Sequence, residues 1–221
     1  MPDAPFPVLA DGIGVDCALP GWTAAAKRAE DLLLAALALA LFMGPMLLIA
    51  LAVRLDSAGP VLFRQARTGR FGVPFVMLKF RTMRYDPVPA PGIRQATRGD
   101  ARITRVGAVL RRTSLDELPQ LFNVLRGDMS MVGPRPHAPG TRAGGRLFQD
   151  VVPHYAARYR VRPGLTGLAQ VRGLRGETDT EEKLLRRVDA DLEYIERWSL
   201  LLDVAIVLRT AVAILRMENA Y

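Results

Sequence analysis

Residues 32–53, LLLAALALALFMGPMLLIALAV, form a run of 22 residues without a charge. At about 1.5 Å per residue, a helix of that length covers a hydrocarbon core of about 30 Å. Soluble helices rarely lack a polar face over so many turns, so the run predicts a membrane segment. It does not read as a signal peptide, because it starts late, follows Glu30 and Asp31, and is too long for an h-region. Gly44-Pro45 interrupts it at the centre. Pro45 removes one backbone hydrogen bond and presses on the carbonyl of Leu41, and Gly44 adds backbone freedom, so a bend is expected there. Lys27 and Arg28 precede the run; Arg54, Arg64, Arg67 and Arg70 follow it. Basic flanks favour the cytoplasmic side. A straight spanning helix cannot place both flanks there, whereas a helix that enters, bends at Gly44 and Pro45 and returns can. The expected organisation is a poorly ordered tail over 1–26, a membrane-inserted re-entrant helix over 27–58 and a cytoplasmic domain over 59–221.

Composition removes several other classes. The chain has 221 residues, half of them hydrophobic, which excludes a disordered tail protein. A multi-pass transporter would need several such apolar runs. The single cysteine, Cys17, and the two histidines, His137 and His154, leave no disulfide framework and little room for a zinc site. The net charge of +8 is uneven: residues 27–142 hold eighteen basic and eight acidic residues. That suits phosphate-bearing ligands or an anionic membrane surface. The bland alternative is a compositional bias toward Arg, which supplies 27 of the 30 basic residues. A nucleic-acid binder is disfavoured, since aromatics are only 7% and do not interleave the basic positions.

Beyond the apolar run the expected class is α/β (α+β, helix-rich), a membrane-associated globular domain with amphipathic interface helices. Residues 60–83 read as two strands around a Gly-rich turn at 69–72. Residues 85–100 read as a loop, and 103–112 as a helix with one apolar face. Residues 115–125 read as a second helix, stopped at Gly127. Residues 129–136 are extended, 159–173 are turn-rich, and 181–217 are helical. The last stretch, LLLDVAIVLRTAVAIL, is strongly apolar but broken by Asp203 and Arg209, so it suits a helix lying on a membrane near Trp198 or packing in a core.

The chemistry-bearing constellation is Ser114-Leu115-Asp116-Glu117. Its plain reading is a capping box, with Ser114 at the N-cap and Glu117 three residues on. Pro119 complicates that reading and suggests that the helix begins later or bends. Asp116 would lie near a helix N-terminus, a position that favours anions. Arg111 and Arg112 precede the pair by one turn, Arg135 sits in the rigid GPRP turn, and Lys79 and Arg81 end a strand. Carboxylates among several guanidiniums fit a site where Mg²⁺ and Arg side chains meet phosphate oxygens. Neither a P-loop nor a GxGxxG motif is present.

These pieces together resemble the bacterial sugar transferase family, the monotopic polyprenyl-phosphate phosphoglycosyl transferases. The matching segments are KRAEDLLLAALALAL, GPVLFRQARTGRFG, FVMLKFRTMR, ARITRVGAVLRRTSLDELPQLFNVLRGDMSMVGPRP, YRVRPGLTGLAQVRG and DLEYIERWSLLLDVAIVLRT, covering roughly residues 27–212. The resemblance implies a small member or a catalytic core. It implies transfer of a sugar 1-phosphate from a UDP-sugar to undecaprenyl phosphate, releasing UMP, at the cytoplasmic face of the bacterial inner membrane. Such a step begins the assembly of exopolysaccharide, capsule, O-antigen or glycoprotein glycans. By the same resemblance Asp116 is the nucleophile, Glu117 its partner in the dyad, and both stand beside Mg²⁺. Lys79, Arg81, Arg111, Arg112 and Arg135 are the expected phosphate-binding residues. Relatives often carry Ser where this chain has Gly44, which keeps the bend but loses a hydroxyl able to satisfy a freed carbonyl. A catalytically inactive membrane-surface scaffold is the alternative; the intact Asp116, Glu117, Lys79, Arg111 and Arg135 speak against it.

Overall fold

The computed structural model describes residues 21–86, 100–174, 176, 178 and 180–215. Most of the expected tail and of the 85–100 loop lies outside these residues. Helix α1 spans Gly21–Asp56, so residues 21–26, expected in the tail, are helical and extend the apolar run toward the N-terminus. The backbone remains helical through Gly44 and Pro45. At about 1.5 Å per residue its 36 residues reach about 54 Å.

One face of α1 packs inward through Ala35, Leu39, Met46 and Val53, at the four- and seven-residue spacing of a single helical stripe. The opposite stripe is Leu33, Leu37, Leu41, Leu48, Leu51 and Leu55, each 57–77% exposed. Both ends of α1 are tied to the same folded body. Near its start, Arg28 donates to the carbonyls of Val124 (2.7 Å) and Leu125 (2.8 Å). Near its end, the Val106 amide donates to Asp56 Oδ2 at 3.0 Å.

Strands β1 (Leu62–Thr68) and β2 (Pro74–Phe80) form an antiparallel hairpin around the expected turn, with Phe63 opposite Lys79 and Arg67 opposite Phe75. Helix α2 (Arg105–Thr113) starts at a Thr104 cap that accepts from the Gly107 amide. Helix α3 (Gln120–Arg126) ends at Gly127 with φ 92°, a left-handed stop that suits glycine. Asn123 on α3 takes the place of a further strand beside β2. Its Oδ1 accepts from the Leu78 amide (3.0 Å), and its Nδ2 donates to the Val76 carbonyl (2.7 Å). That clamp fixes α3 against the hairpin.

Strand β3 (Ser130–Val132) pairs in parallel with β6 (Gly164–Thr166). Between them lie β4 (Arg142–Ala143), β5 (Arg146–Leu147) and the short helix α4 (Phe148–Val151). Beyond β6 come α5 (Leu168–Val171), α6 (Glu181–Glu196) and α7 (Leu200–Leu215). The β3 and β6 backbones meet so closely that a Cβ on Gly164 would lie 2.1 Å from the Gly133 amide nitrogen. Glycine at that crossing leaves room for the GPRP turn that carries Arg135. The main core joins the inner stripe of α1 to Met77, Phe80, Leu121, Val124, Val132 and Ile206; a second cluster gathers Phe148, Val152, Tyr155, Leu184 and Val188.

The sequence-level outline of a helix-rich α/β protein with one long apolar helix therefore holds. The expected single helix over 115–125 is instead a 3-10 turn, Leu115–Glu117, followed by α3. The final helical stretch is two helices, broken at Arg197–Ser199. Asp203, read as an interruption, is buried and receives Lys27 Nζ (2.7 Å), the Tyr194 hydroxyl (2.9 Å) and Trp198 Nε1 (3.0 Å).

Candidate active site

The site begins where α2 stops. Ser114 takes the left-handed conformation, φ 58° and ψ 14°, and turns the chain into Leu115–Glu117. Pro119 then precedes α3, where it has no amide to offer a previous turn. The capping box expected at Ser114 and Glu117 does not form, since the Ser114 side chain caps nothing. Glu117 reaches away from its own turn to two cations, which are stronger partners for a carboxylate than a neutral amide. Lys79 Nζ on β2 lies 2.8 Å from Glu117 Oε1, and Arg135 Nη1 lies 3.1 Å from Oε2. Arg135 Nη2 also binds Oε1, completing a two-point grip.

The two adjacent carboxylates are consequently unlike. Burial alone would raise the Glu117 carboxyl, but Arg135 and Lys79 hold it well below the usual carboxylate range. Asp116 makes no hydrogen bond or ion pair among the described residues. Burial pushes it up to about 6, against the opposing pull of Lys79, Arg111 and Arg135, with the neighbouring Glu117 charge adding to the rise. One carboxylate is held as a permanent anion inside a cationic clamp, and the other is left free beside it. Such a free, partly desolvated carboxylate among guanidiniums can attack or bind an electrophilic, negatively charged group such as a phosphate.

The profile of the bacterial sugar transferases matches residues 22–217, nearly the whole chain. The chain belongs to the bacterial sugar transferase family. It is 57% identical over 195 residues to a UDP-glucose:undecaprenyl-phosphate glucose-1-phosphate transferase of Caulobacter vibrioides, covering 88% of this chain and 72% of that protein. It is 52% identical to an undecaprenyl-phosphate glucose phosphotransferase of Komagataeibacter xylinus, covering 92% of this chain and 38% of that protein. The exopolysaccharide production protein PSS of Rhizobium leguminosarum bv. phaseoli is 49% identical, with 85% and 94% covered. The chain thus spans most of two of these relatives and well under half of the other.

In this sugar transferase, Lys79 and Arg135 stand beside both carboxylates of the Asp116–Glu117 pair, and Arg111 acts on Asp116. Arg81 is not brought there. It is 5% exposed, and its guanidinium donates to the carbonyls of Val53 (3.3 Å), Ser57 (2.6 Å) and Ala58 (2.5 Å). Those carbonyls end α1 and need donors, so Arg81 closes the helix rather than binding phosphate. Its strand position explains the difference: Lys79 and Arg81 flank Phe80, but β2 ends at Phe80 and the face alternation ends with it. Arg112 is exposed and is not among the charges that shift Asp116. Gly44 and Pro45 lie within α1, away from the site in sequence and in packing partners.

The structure adds residues that the sequence reading had not placed. Arg67 lies on the same hairpin face as Lys79, two registers along, and is lowered to about 10 by burial and by Arg135. Strand alternation across the hairpin would have predicted that shared face. Arg158 had no local signal. Its Nη2 donates to the Arg135 carbonyl (2.8 Å), its Nε to Asp191 on α6 (2.8 Å) and its Nη1 to the Tyr155 hydroxyl (3.0 Å). The buried Arg158–Asp191 pair therefore holds the backbone of the residue that grips Glu117. His137, two residues after Arg135, packs against this pair with Nδ1 at 2.6 Å from the Tyr155 hydroxyl. Burial and the surrounding Arg158, Arg187, Arg67 and Arg135 keep it neutral, well below its ordinary pKa.

Proposed function

We propose that this chain transfers glucose 1-phosphate from UDP-glucose to undecaprenyl phosphate, releasing UMP, as the first membrane step of exopolysaccharide synthesis. The observation that carries the reading is the unpartnered Asp116 carboxylate next to a Glu117 already neutralised by Lys79 and Arg135. The sugar and the acceptor are those named for the Caulobacter relative.

The proposed step uses the free Asp116 carboxylate. An Asp116 oxygen attacks the phosphorus that bears the sugar, and the bond from that phosphorus to the UMP oxygen breaks. UMP leaves with the electron pair, and Asp116 carries the sugar phosphate as an acyl phosphate. An oxygen of undecaprenyl phosphate then attacks the same phosphorus, giving the diphosphate-linked sugar and freeing the carboxylate. Arg135, Lys79 and Arg111 offset charge on the phosphate oxygens, and Glu117 keeps the first two in place. Among the described residues no group of three His, Cys, Asp or Glu side chains gathers to hold a metal. The ion proposed here is Mg²⁺, which takes one or two carboxylates and completes its shell with substrate phosphates. Asp116 is the carboxylate available to hold it, while Glu117 is engaged by its two cations. When bound, Mg²⁺ supplies charge neutralisation on the diphosphate.

We further propose that α1 enters and leaves the inner membrane from its cytoplasmic face, with α7 lying along the interface. Support comes from the outer leucine stripe and from the anchoring of both helix ends by one folded body. A helix crossing about 30 Å of hydrocarbon would hold its two ends in different compartments.

The deciding experiment is single-turnover mass spectrometry with UDP-glucose and no lipid. A glucose-phosphate adduct on the Asp116 peptide, with stoichiometric UMP, is expected. An unmodified protein that still turns over when lipid is added would mean direct transfer between the substrates. UDP-galactose and UDP-N-acetylgalactosamine in parallel test the sugar. Turnover that persists after thorough EDTA treatment would remove the metal.

A further inference from the structure

A cleft of about 50 Å³ opens between the first turns of α1, strand β3, the 155–162 segment and the α6–α7 junction. A single water needs only about 10–15 Å³. Its walls include Lys27, Arg70, Arg160 and Arg162, with Val161 and Trp198 as apolar surface. None of Asp116, Glu117, Lys79 or Arg135 lines it.

The charges in this cleft do not balance. Lys27 is answered by Asp31 at 2.9 Å and Asp203 at 2.7 Å. Asp31, which also lines the cleft, is in turn met by the Ser130 hydroxyl and the Met131 amide. Among the described residues no carboxylate pairs with Arg70, Arg160 or Arg162. Arg70 and Arg162 each place one nitrogen on a backbone carbonyl, of Arg160 (3.3 Å) and Gly127 (2.9 Å), and the Arg70 guanidinium also lies over the Phe71 ring (4.4 Å), so their terminal nitrogens keep no hydrogen bond among those described. Burial, then the charges of Arg70 and Arg28, hold Arg162 below its ordinary value against the opposing pull of Asp31. Arg side chains that converge on a cavity without a carboxylate partner are stabilised by an anion with several oxygens, and phosphate matches the guanidinium fork.

The position of the cleft selects the source of that phosphate. Lys27 and Asp31, both buried, lie within the two turns of α1 that precede its exposed Leu33–Leu37–Leu41 stripe. Trp198 stands just before α7, whose Leu200, Leu201, Val204 and Leu208 are exposed. The cleft thus lies between the start of α1 and the α6–α7 junction, two elements that each expose an apolar face, with an indole in its wall. We propose that it is a second anion site, separate from the Asp116–Glu117 pair, that takes the phosphate of an acidic membrane phospholipid headgroup. It rests on the membrane placement proposed for α1 and is independent of the transfer chemistry. Basic pockets between membrane-seated helices are suited to such headgroups.

Trp198 supplies a reporter. With Trp22→Phe in the full chain, Trp198 is the remaining tryptophan, and its emission can be followed in neutral nanodiscs. Short-chain phosphatidylglycerol should shift it saturably, while short-chain phosphatidylcholine should not. Inorganic phosphate should act at least about 10-fold more weakly, because it lacks the apolar contacts. Arg70→Gln with Arg160→Gln should weaken the phosphatidylglycerol response about 10- to 30-fold, and the Lys pair should largely restore it. An equal response to both lipids, a phosphate response as tight as the lipid's, or an unaltered Gln variant would each overturn the proposal. The lipid comparison decides the matter on the Trp22→Phe protein even if the Gln variant does not fold. Turnover of UDP-glucose by the same samples keeps the two readings apart. Intact turnover without a selective lipid response sinks this inference alone, and a selective response without turnover sinks only the transferase reading.

Discussion

Two pairs of carboxylates in this molecule stand among cations, and they are satisfied in opposite ways. Asp31 and Asp203 each receive three donors: Lys27, Ser130 and Met131 for the first, and Lys27, Tyr194 and Trp198 for the second. They join the start of α1 to β3 and α7. At Asp116–Glu117 only Glu117 is saturated. In the first pair buried charge is met by buried donors, although all three on Asp31 fall on Oδ1 and its Oδ2 is buried without one. The second leaves one carboxylate unmet, which costs stability and keeps a reactive oxygen available.

The largest expected effect breaks the second pair. Asp116→Asn should lower turnover by about 10³-fold or more, the scale of losing a covalent nucleophile. It should not destabilise the fold. The Asp116 carboxyl is raised from 3.8 to about 6, so folding favours its neutral form. That stabilisation is full below about pH 4 and is lost as pH rises through 6. Asn keeps the neutral state at all pH values, so at pH 8 the variant should be more stable, by at most ~3 kcal/mol. Wild-type turnover should fall on the acid side, with an apparent pKa near 6 before substrate binds. A variant less stable than wild type at pH 8 would show that Asp116 is structural, like Asp31.

Breaking the first pair should do the reverse. Asp31→Ala leaves Lys27 with Asp203 alone and the Met131 amide without its acceptor, and should cost about 1–3 kcal/mol in denaturant unfolding. The protein that remains folded should keep the wild-type pH profile. A changed acid limb with unchanged stability would erase the distinction between the two pairs.

Two smaller effects sharpen the comparison. Glu117→Gln removes the charge that holds Lys79 and Arg135 and should lower turnover about 10²-fold, or ~2.7 kcal/mol of barrier. As a mere cap it would cost almost nothing, since Gln also serves at that position. Arg158→Lys retains a charge for Asp191 but loses the fork that also reaches the Arg135 carbonyl. A roughly 10-fold loss, mostly in kcat with KM little changed, is expected of a residue that positions Arg135. A loss confined to thermal stability would make Arg158 a core ion pair only.

Much of the framework was legible in the chain. The apolar run, the hairpin around Gly69–Gly72, the helix stop at Gly127 and the dyad itself all follow from short-range patterns. Arg81 and the capping box were misplaced for one shared reason. Each had a satisfactory local partner on paper, and the fold supplied a different one: the end of α1 for Arg81, and Lys79 with Arg135 for Glu117. Arg158, Asp191 and Asn123 were invisible because their roles depend on segments far apart in sequence.

The amino-acid sequence alone determined that this protein carries one long apolar helix, a basic middle region and a carboxylate pair among arginines. Periodicity, hydropathy and the fixed torsions of Gly and Pro act over a few residues, so they can be read directly. Only the tertiary structure decided which carboxylate is clamped and which is left free, and which arginines stand beside the carboxylate pair rather than at the end of a helix. Those outcomes depend on pairings such as Lys79 with Glu117 and Arg158 with the Arg135 carbonyl. The strength of such pairings is set by burial and geometry that exist only once the hairpin, the 3-10 turn and α6 have packed together.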